Sequence, residues 1–120
     1  MELAVKAIRL WTKAVRPYAY SASLVPVAIG GLHARFSTGE FSGVRLGVSL
    51  AAGLLLHTAA NLWNDYFDFI NGVDRHGGGI GSGVLVAGEM TPKRCFRGAS
   101  ICAALAAGAG LWLATQVGWG

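Results

Sequence analysis

Three aspartates and three asparagines lie within one short segment, Asn61 to Arg75, that reads NLWNDYFDFINGVDR and directly follows the apolar run VSLAAGLLLHTAA. Carboxylate and amide oxygens are hard ligands that suit Mg²⁺, whereas zinc and copper favour cysteine and histidine. Protein-bound magnesium usually keeps some waters and also binds substrate phosphates. The segment therefore predicts a Mg²⁺-diphosphate site. The alternative is a set of solvated aspartates at a helix end, since Asn71-Gly72 is a typical helix stop.

Helical spacing places His57, Asn61, Asp65 and Asp68 on one face, at i, i+4, i+8 and i+11. A helix from residue 43 to residue 69 would be roughly 40 Å long, against about 30 Å of bilayer hydrocarbon. The acidic end would then reach the interface, where water and a charged substrate can enter. Because carboxylates oppose the dipole of a helix C-terminus, and ionisable residues at this depth are costly, a binding role is favoured over solvated side chains.

Two further groups of residues keep alternative interpretations. His57 lies deeper, in apolar surroundings, which favours a neutral packed histidine over a metal ligand. Aromatic side chains near the acids could stabilise a carbocation with their ring faces, or could belong to the interfacial aromatic belt; they are Trp63, Tyr66, Phe67 and Phe69.

Composition points to a membrane protein. The 120-residue chain is 53% hydrophobic and 13% charged, well below the roughly 25% charged of soluble domains. The net charge of +4 does not indicate nucleic-acid binding, because apolar segments separate the basic residues. Cys95 and Cys102 are predicted to be small buried hydrophobes rather than a disulfide or a zinc site.

The predicted fold class is all-α, with multi-pass membrane helices. About three spans are expected, near residues 18–36, 43–70 and 94–119, each close to the 20 residues that a bilayer requires. Residues 2–15 have basic and apolar side chains on different faces, which favours a short amphipathic helix at the interface over a solvated tail. Residues 71–93 form the loop between the second and third spans.

The distribution of lysine and arginine predicts the orientation of these helices. Three spans place the N-terminus and the loop 71–93 on one side, which then holds eight of the ten basic residues: Lys6, Arg9, Lys13, Arg16, Arg75, Lys93, Arg94 and Arg97. Cytoplasmic loops are enriched in such residues. We therefore expect a cell (inner) membrane protein with its N-terminus and acidic segment in the cytoplasm.

The loop after the acidic segment is rich in glycine. It lacks the Lys-Ser/Thr of a phosphate-binding P-loop and contains no dinucleotide-binding glycine pattern. Residues 77–83 could present backbone N–H groups to a phosphate or could form a mobile lid. Thr91-Pro92 predicts the start of the third helix. Diphosphate contact and topological anchoring are equally open roles for the basic residues that follow, Lys93, Arg94 and Arg97.

At these positions the sequence resembles the UbiA superfamily of intramembrane prenyltransferases, and most closely its 1,4-dihydroxy-2-naphthoate branch of menaquinone biosynthesis. WTKAVRP at residues 11–17 is similar to an opening W-x-x-x-x-R-P, LVPVAIG at residues 24–30 to the next block, and SGVLVAGEMTP at residues 82–92 to a later loop. NLWNDYFDFINGVD looks like the first aspartate-rich motif. Gly72 followed by Asp74 resembles the naphthoate branch, where other members have an aspartate in place of this glycine.

The resemblance implies transfer of a polyprenyl group from a polyprenyl diphosphate to an aromatic acceptor, with Mg²⁺ neutralising the leaving group. Asn61, Asp65 and Asp68 would bind the metal-diphosphate, with Asn64, Asp74 and Arg75 supporting them.

The chain differs from this family in two respects. Family members have about nine membrane helices and a second aspartate motif, and this sequence shows neither. We therefore expect the N-terminal third of such an enzyme, inactive alone: a truncated gene product, a fragment, or one half of a split enzyme whose partner is a C-terminal half. The alternatives are a non-catalytic membrane protein that binds divalent ions or partner helices, and, more distantly, a transporter fragment.

Overall fold

Four α-helices and one 3-10 turn form the regular structure in the computed structural model, which describes residues 1–73 and 81–117. The helices are α1 (Glu2–Val15), α2 (Ser21–Thr38), α3 (Gly43–Ile70) and α4 (Pro92–Val117), with the turn at Pro17–Ala19 between the first two. The described residues contain no strand. The predicted all-α fold class is confirmed.

The helix α1 has the bounds predicted from the charge pattern. It ends at Arg16, whose backbone adopts a left-handed conformation with φ 54° and ψ 63° and whose N–H donates to Thr12 O at 3.3 Å. Pro17 follows, and a proline lacks the N–H that would continue the helical hydrogen bonds. The chain therefore turns sharply at Arg16. The location of α1 at a membrane interface stays a prediction.

Two of the described helices, α3 and α4, are long and apolar enough to cross a membrane by length and composition. The apolar window of α3 is 17% buried within the chain and that of α4 is 11% buried, whereas the core helix of a soluble domain would be mostly buried. Leu105 and Leu111 on α4 are 57% and 60% exposed. These helices are therefore candidate membrane spans.

The helix α2 differs from the first predicted span. It begins three residues later than predicted and has 18 residues, which corresponds to about 27 Å of helix. It does not reach the hydropathy of α3 and α4, because His33 and Arg35 lie in its second half. Its crossing of the membrane stays a prediction.

Small residues allow α3 and α4 to pack closely along their length. Ala52 and Ala59 of α3 are buried, as are Ala99 and Ala106 of α4, and small side chains let membrane helices approach one another. Cys95 is also buried, and its thiol donates to Leu62 O at 3.2 Å. Both cysteines are free thiols, as the sequence predicted, although Cys102 is only half-buried.

The buried core lies at the acidic end of α3. It joins Leu62 of α3 to the ends of its neighbours and to the loop that precedes α4; the remaining members are Ala14, Val84, Leu85, Met90, Cys95 and Ala99. Gly98 of α4 gives Trp11 of α1 room, since a Cβ there would lie 2.8 Å from the indole ring. The core therefore holds α1, the loop and α4 around one end of α3.

Capping defines both ends of the segment between α3 and α4. The helix α3 stops at Asn71, where Gly72 has φ 70° and Val73 N donates to Asp68 O at 2.9 Å, a glycine-based helix end. The helix α4 starts where Thr91 Oγ1 accepts from Arg94 N at 3.2 Å. Both the predicted helix stop and the predicted Thr91-Pro92 start are confirmed.

Candidate functional site

Asp65 is the buried carboxylate of the acidic segment. Its side chain is 3% exposed, although it lies one to two turns from the end of α3. Oδ1 accepts from Arg16 Nη2 at 3.2 Å and from Ser82 N at 3.3 Å. Oδ2 accepts from the Ser82 hydroxyl. The negative charge is thus neutralised by an arginine from the end of α1 and bound by a serine from the loop.

Arg16 and Asn61 connect the end of α1 to α3 a second time. Arg16 Nη2 also donates to Asn61 O at 3.0 Å, and Asn61 Nδ2 donates to Val15 O at 2.8 Å. The left-handed backbone at Arg16 is an uncommon conformation for a side-chain-bearing residue, and such conformations persist where surrounding contacts require them. We call the contacts of Arg16, Asn61, Asp65 and Ser82 the Arg16–Asp65 clamp.

The part of the glycine-rich loop at residues 81–90 packs onto this end of α3. Ser82 Oγ accepts from Val84 N at 3.4 Å, and Val84 and Leu85 are buried in the core. Gly83 follows Ser82 with φ 79°, a backbone conformation that favours glycine. The loop therefore presents Ser82 to Asp65 from a packed position. The remainder of the predicted segment 77–83, up to residue 80, lies outside the described residues.

Asp68 and Asn64 lie beside the clamp with their side chains more accessible. Asp68 is half-buried and Asn64 is exposed, and neither side chain makes a hydrogen bond within the described residues. Asp74 and Arg75, the other two supporting residues predicted from the sequence, lie outside the described residues. The structure therefore brings together Asn61 and Asp65, and it leaves the side chains of Asn64, next to Asp65, and of Asp68, one turn further, without hydrogen bonds among the described residues.

The carboxylate and amide oxygens at the C-terminal end of α3 suit Mg²⁺ as ligands, but they are not equally available to a metal ion. Within residues 1–73 and 81–117 there is no group of three or more histidine, cysteine, aspartate or glutamate side chains that could hold a metal ion. Asp68 and Asn64 offer open oxygens. Asp65 has about four lone-pair positions, and donors from Arg16 and Ser82 already occupy both of its oxygens. Direct binding of a metal by Asp65 would require Ser82 or Arg16 to move.

The aromatic residues of the segment take part in helix packing. Tyr66 lies 4.9 Å from Phe96 of α4 between ring centroids, Trp63 lies 6.3 Å from Phe96, and Tyr66 lies 5.1 Å from Phe67. Phe69 packs against the core. Trp63 and Tyr66 thus form part of the contact between α3 and α4.

His57 packs between helices, as expected. Its Nδ1 lies 2.7 Å from Ser23 Oγ of α2, and its ring meets the Tyr20 ring edge-on at 5.5 Å. It is one turn deeper than Asn61 on the same face of α3.

The basic residues at the start of α4 are all exposed. The Arg94 guanidinium lies over the Trp11 ring at 5.3 Å, which is within the range of a cation–π contact. Lys93 and Arg97 keep both predicted roles, diphosphate contact and anchoring.

Sequence reasoning missed Arg16 and Ser82 as parts of the site. In the sequence Arg16 stands out only as one of the basic residues on the N-terminal side and as the arginine of WTKAVRP, and its pairing with Asp65 joins positions 49 residues apart. The Arg16-Pro17 pair was the available signal, because a proline after an arginine ends a helix and lets that side chain leave the helical stripe. Ser82 carries no comparable signal.

Curated relatives match about half of the chain. UbiA prenyltransferase domain-containing protein 1 of Danio rerio is 46% identical over 61 residues, which is 51% of this chain and 18% of the relative. The Homo sapiens protein of that name is 44% identical over 61 residues, with the same coverage. A Drosophila melanogaster homolog is 37% identical over 70 residues, 57% of this chain and 20% of the relative.

The chain thus spans about a fifth of the length of these relatives. No family model matches the chain, and no solved structure matches it. Over about half of its residues, the chain is similar to UbiA prenyltransferase domain-containing proteins, which supports the resemblance to the UbiA superfamily at that level.

Proposed function

We propose that the chain supplies the diphosphate-binding end of an intramembrane prenyltransferase. The reaction is transfer of a polyprenyl group from a polyprenyl diphosphate to an aromatic acceptor, 1,4-dihydroxy-2-naphthoate, in menaquinone biosynthesis. The observation that carries this proposal is the placement of Asp65 and Asp68 near the end of a candidate membrane helix, in a chain similar over 61 residues to UbiA prenyltransferase domain-containing proteins.

The residues of the acidic end divide into two roles in this proposal. Asp68 and Asn61 bind the metal-diphosphate, supported by Asn64, Asp74 and Arg75. Asp65 is the third ligand in the resemblance, and in the described arrangement it holds Arg16 and Ser82. Mg²⁺ bound there would neutralise the charge that develops on the departing diphosphate.

The charge balance of the clamp supports an open site at Asp68. Arg16 compensates the charge of Asp65, so the accessible negative charge of the described segment is that of Asp68. A single carboxylate with amide neighbours is a typical protein contribution to bound magnesium, whose remaining ligands are water and phosphate oxygens. This arrangement leaves positions for a diphosphate.

The membrane supplies the environment for the other part of the substrate. A polyprenyl tail is apolar, and the exposed apolar faces of α3 and α4 are suited to hydrocarbon or to further helices. We place the protein in the inner membrane with α1 and the acidic end in the cytoplasm, from the charge distribution. A second polypeptide segment with a further aspartate motif would complete a two-metal site.

Prenyl transfer in membranes tests the proposal. Membranes carrying the chain, alone and with any polypeptide encoded directly downstream, are incubated with polyprenyl diphosphate, Mg²⁺ and dihydroxynaphthoate. We expect prenylated product from the complemented form and loss of product in Asp65→Ala/Asp68→Ala. Glu40→Ala, at the other end of α3, is the control that should retain activity. Full activity of the double variant, or no product from the complemented form, would refute the proposal.

A non-catalytic role in helix assembly is the second candidate. The observation in its favour is the exposed apolar surface of α4, with Leu105 and Leu111 largely uncovered by the chain itself. Stable self-association in detergent without any Mg²⁺-dependent diphosphate binding would favour this role over prenyl transfer.

A further inference from the structure

A polar pair bridges α2 and α3 away from the acidic end. Ser23 Oγ lies 2.7 Å from His57 Nδ1. Beside it, the Tyr20 hydroxyl contacts Thr58 Oγ1, and Thr58 Oγ1 donates to Leu54 O at 2.8 Å. The Thr58 proton is therefore used within α3, and Tyr20 is the donor to Thr58. These contacts hold the His57 ring against α2 and leave its second nitrogen, Nε2, with no hydrogen-bond partner among the described residues.

A cavity of about 450 Å³ opens next to this pair. Its walls are mostly apolar, with Pro26 and Val27 on α2 and Leu56 and Ala60 on α3. The polar residues that line it are Ser23, His57 and Asn61. This combination of apolar walls with a few polar groups, in a volume of roughly 300–1,000 Å³, is characteristic of small-molecule sites.

His57 lies deep in the candidate membrane span α3, so placing the Ser23–His57 polar pair there without a binding role would be energetically costly. His57 precedes Asp68 by 11 residues, which is about 16 Å of helix and roughly half of the 30 Å hydrocarbon thickness. Ionisable side chains at that depth face a protein interior or a cavity and mark substrate pathways. Asn61 lies between His57 and the acidic end and lines the cavity, so the two regions are continuous.

We propose that this cavity binds a phenol or hydroquinone ring whose hydroxyl donates to Nε2 of His57. The proposal rests on the proposed function, and it assigns the acceptor to this part of that site. The binding tautomer carries its proton on Nδ1 and donates it to Ser23 Oγ, which leaves the Nε2 lone pair for the ligand. The apolar walls on either side then contact the ring faces.

In prenyl transfer this hydrogen bond gives His57 a defined role. The C–O bond of the prenyl diphosphate breaks, and diphosphate leaves with the electron pair. The ring carbon next to the hydroxyl forms the new C–C bond while the hydroxyl proton moves to Nε2. The ring carbon then loses its hydrogen as a proton to the released diphosphate, and Nε2 returns its proton to the oxygen. Atoms and charges balance, and His57 ends in its starting state.

Ligand binding to the whole chain in nanodiscs tests the assignment without any need for turnover. The probe is 1-naphthol, and its matched ligand is 1-methoxynaphthalene, which has the same ring but cannot donate a hydrogen bond. Both are titrated without Mg²⁺ or diphosphate, with empty nanodiscs subtracted. We expect saturable 1-naphthol binding and about tenfold weaker binding of the methyl ether, the factor expected for one lost hydrogen bond.

Two histidine variants localise the effect. His57→Gln should weaken 1-naphthol binding about tenfold and abolish the difference between the two ligands. His33→Gln should change neither, although His33 also contacts a serine, Ser37, at 3.2 Å. Nitrogen-15 NMR of the histidine side chains should show the Nε2 resonance of His57 shifting on addition of 1-naphthol.

Equal affinity of the two ligands would overturn the assignment, as would an unshifted Nε2 resonance. If His57→Gln does not fold, Ser23→Ala and the comparison of the two ligands on the unsubstituted chain still test whether the ligand hydroxyl binds Nε2 of His57. Because no metal or diphosphate is present, failure here leaves the diphosphate proposal standing. Conversely, phenol binding without Mg²⁺-dependent diphosphate binding would refute the proposed function alone.

Discussion

Arg16→Met should destabilise the protein strongly, because it leaves the Asp65 charge buried without its partner. The side chain of Arg16 is 14% exposed and that of Asp65 is 3% exposed, so solvent screens this pair little. Removing one member of a buried ion pair typically costs about 3–5 kcal/mol. Methionine preserves much of the arginine stem, so the loss reports mainly the guanidinium and its contacts with Asp65 and Asn61.

The ion pair between Lys13 and Glu89 is the matched control. It is shorter, at 2.6 Å, but its side chains are 49% and 42% exposed. Solvent-exposed pairs contribute about 0–1 kcal/mol. Lys13→Met should therefore have a small effect, although it removes a cation from the same helix.

The double variant Arg16→Met/Asp65→Leu separates pairing from packing. Replacing both members of a buried pair by apolar residues is often neutral, so the double variant should be more stable than either single variant. The coupling between contacting sites should then exceed about 1 kcal/mol.

Reversible unfolding in mixed detergent micelles, followed by circular dichroism, measures the unsubstituted chain, the three single variants Arg16→Met, Asp65→Leu and Lys13→Met, and the double variant. If Arg16→Met and Lys13→Met lower the free energy of unfolding equally, or if the single effects add, the clamp does not hold this end of the fold.

Two further predictions concern packing and capping. Gly98→Ala should destabilise the chain by about 1–3 kcal/mol, because its Cβ would lie 2.8 Å from Trp11 Cη2. Gly110→Ala is the control and should be tolerated, since nothing lies within 4 Å of the Cβ position there. Equal unfolding free energies for the two variants would contradict the contact between α1 and α4. Thr91→Ala removes the N-cap of α4 and should lower the free energy of unfolding by about 1 kcal/mol in the same assay. Thr91→Ser retains the cap and is the control. Equal stability of the two variants would refute the capping role of Thr91.

Local chemistry made much of the helical arrangement predictable. The charge pattern of residues 2–15 and the apolar run from Gly43 give α1 and α3 their observed bounds. Asn71-Gly72 and Thr91-Pro92 marked helix ends because a left-handed glycine and a side-chain cap act within a few residues. The first predicted span was less well defined, since its polar second half lowers the hydropathy of α2.

The partners of the acidic residues were not predictable in the same way. Helical spacing put Asn61, Asp65 and Asp68 on one face, but it could not separate the enclosed Asp65 from the more open Asp68. That difference arises from Arg16 and Ser82, which approach from other parts of the chain. Periodicity describes one helix, whereas burial of a carboxylate depends on what packs against it.

Binding of a non-ionising substrate analogue tests the central claim most directly. Farnesyl thiodiphosphate is titrated calorimetrically into the chain in nanodiscs, with Mg²⁺ and again with EDTA. We predict saturable binding that requires Mg²⁺, is weakened at least tenfold by Asp68→Asn, and is unchanged by Glu40→Gln. Binding of equal affinity in EDTA, or in Asp68→Asn, would contradict a magnesium-diphosphate site at the end of α3.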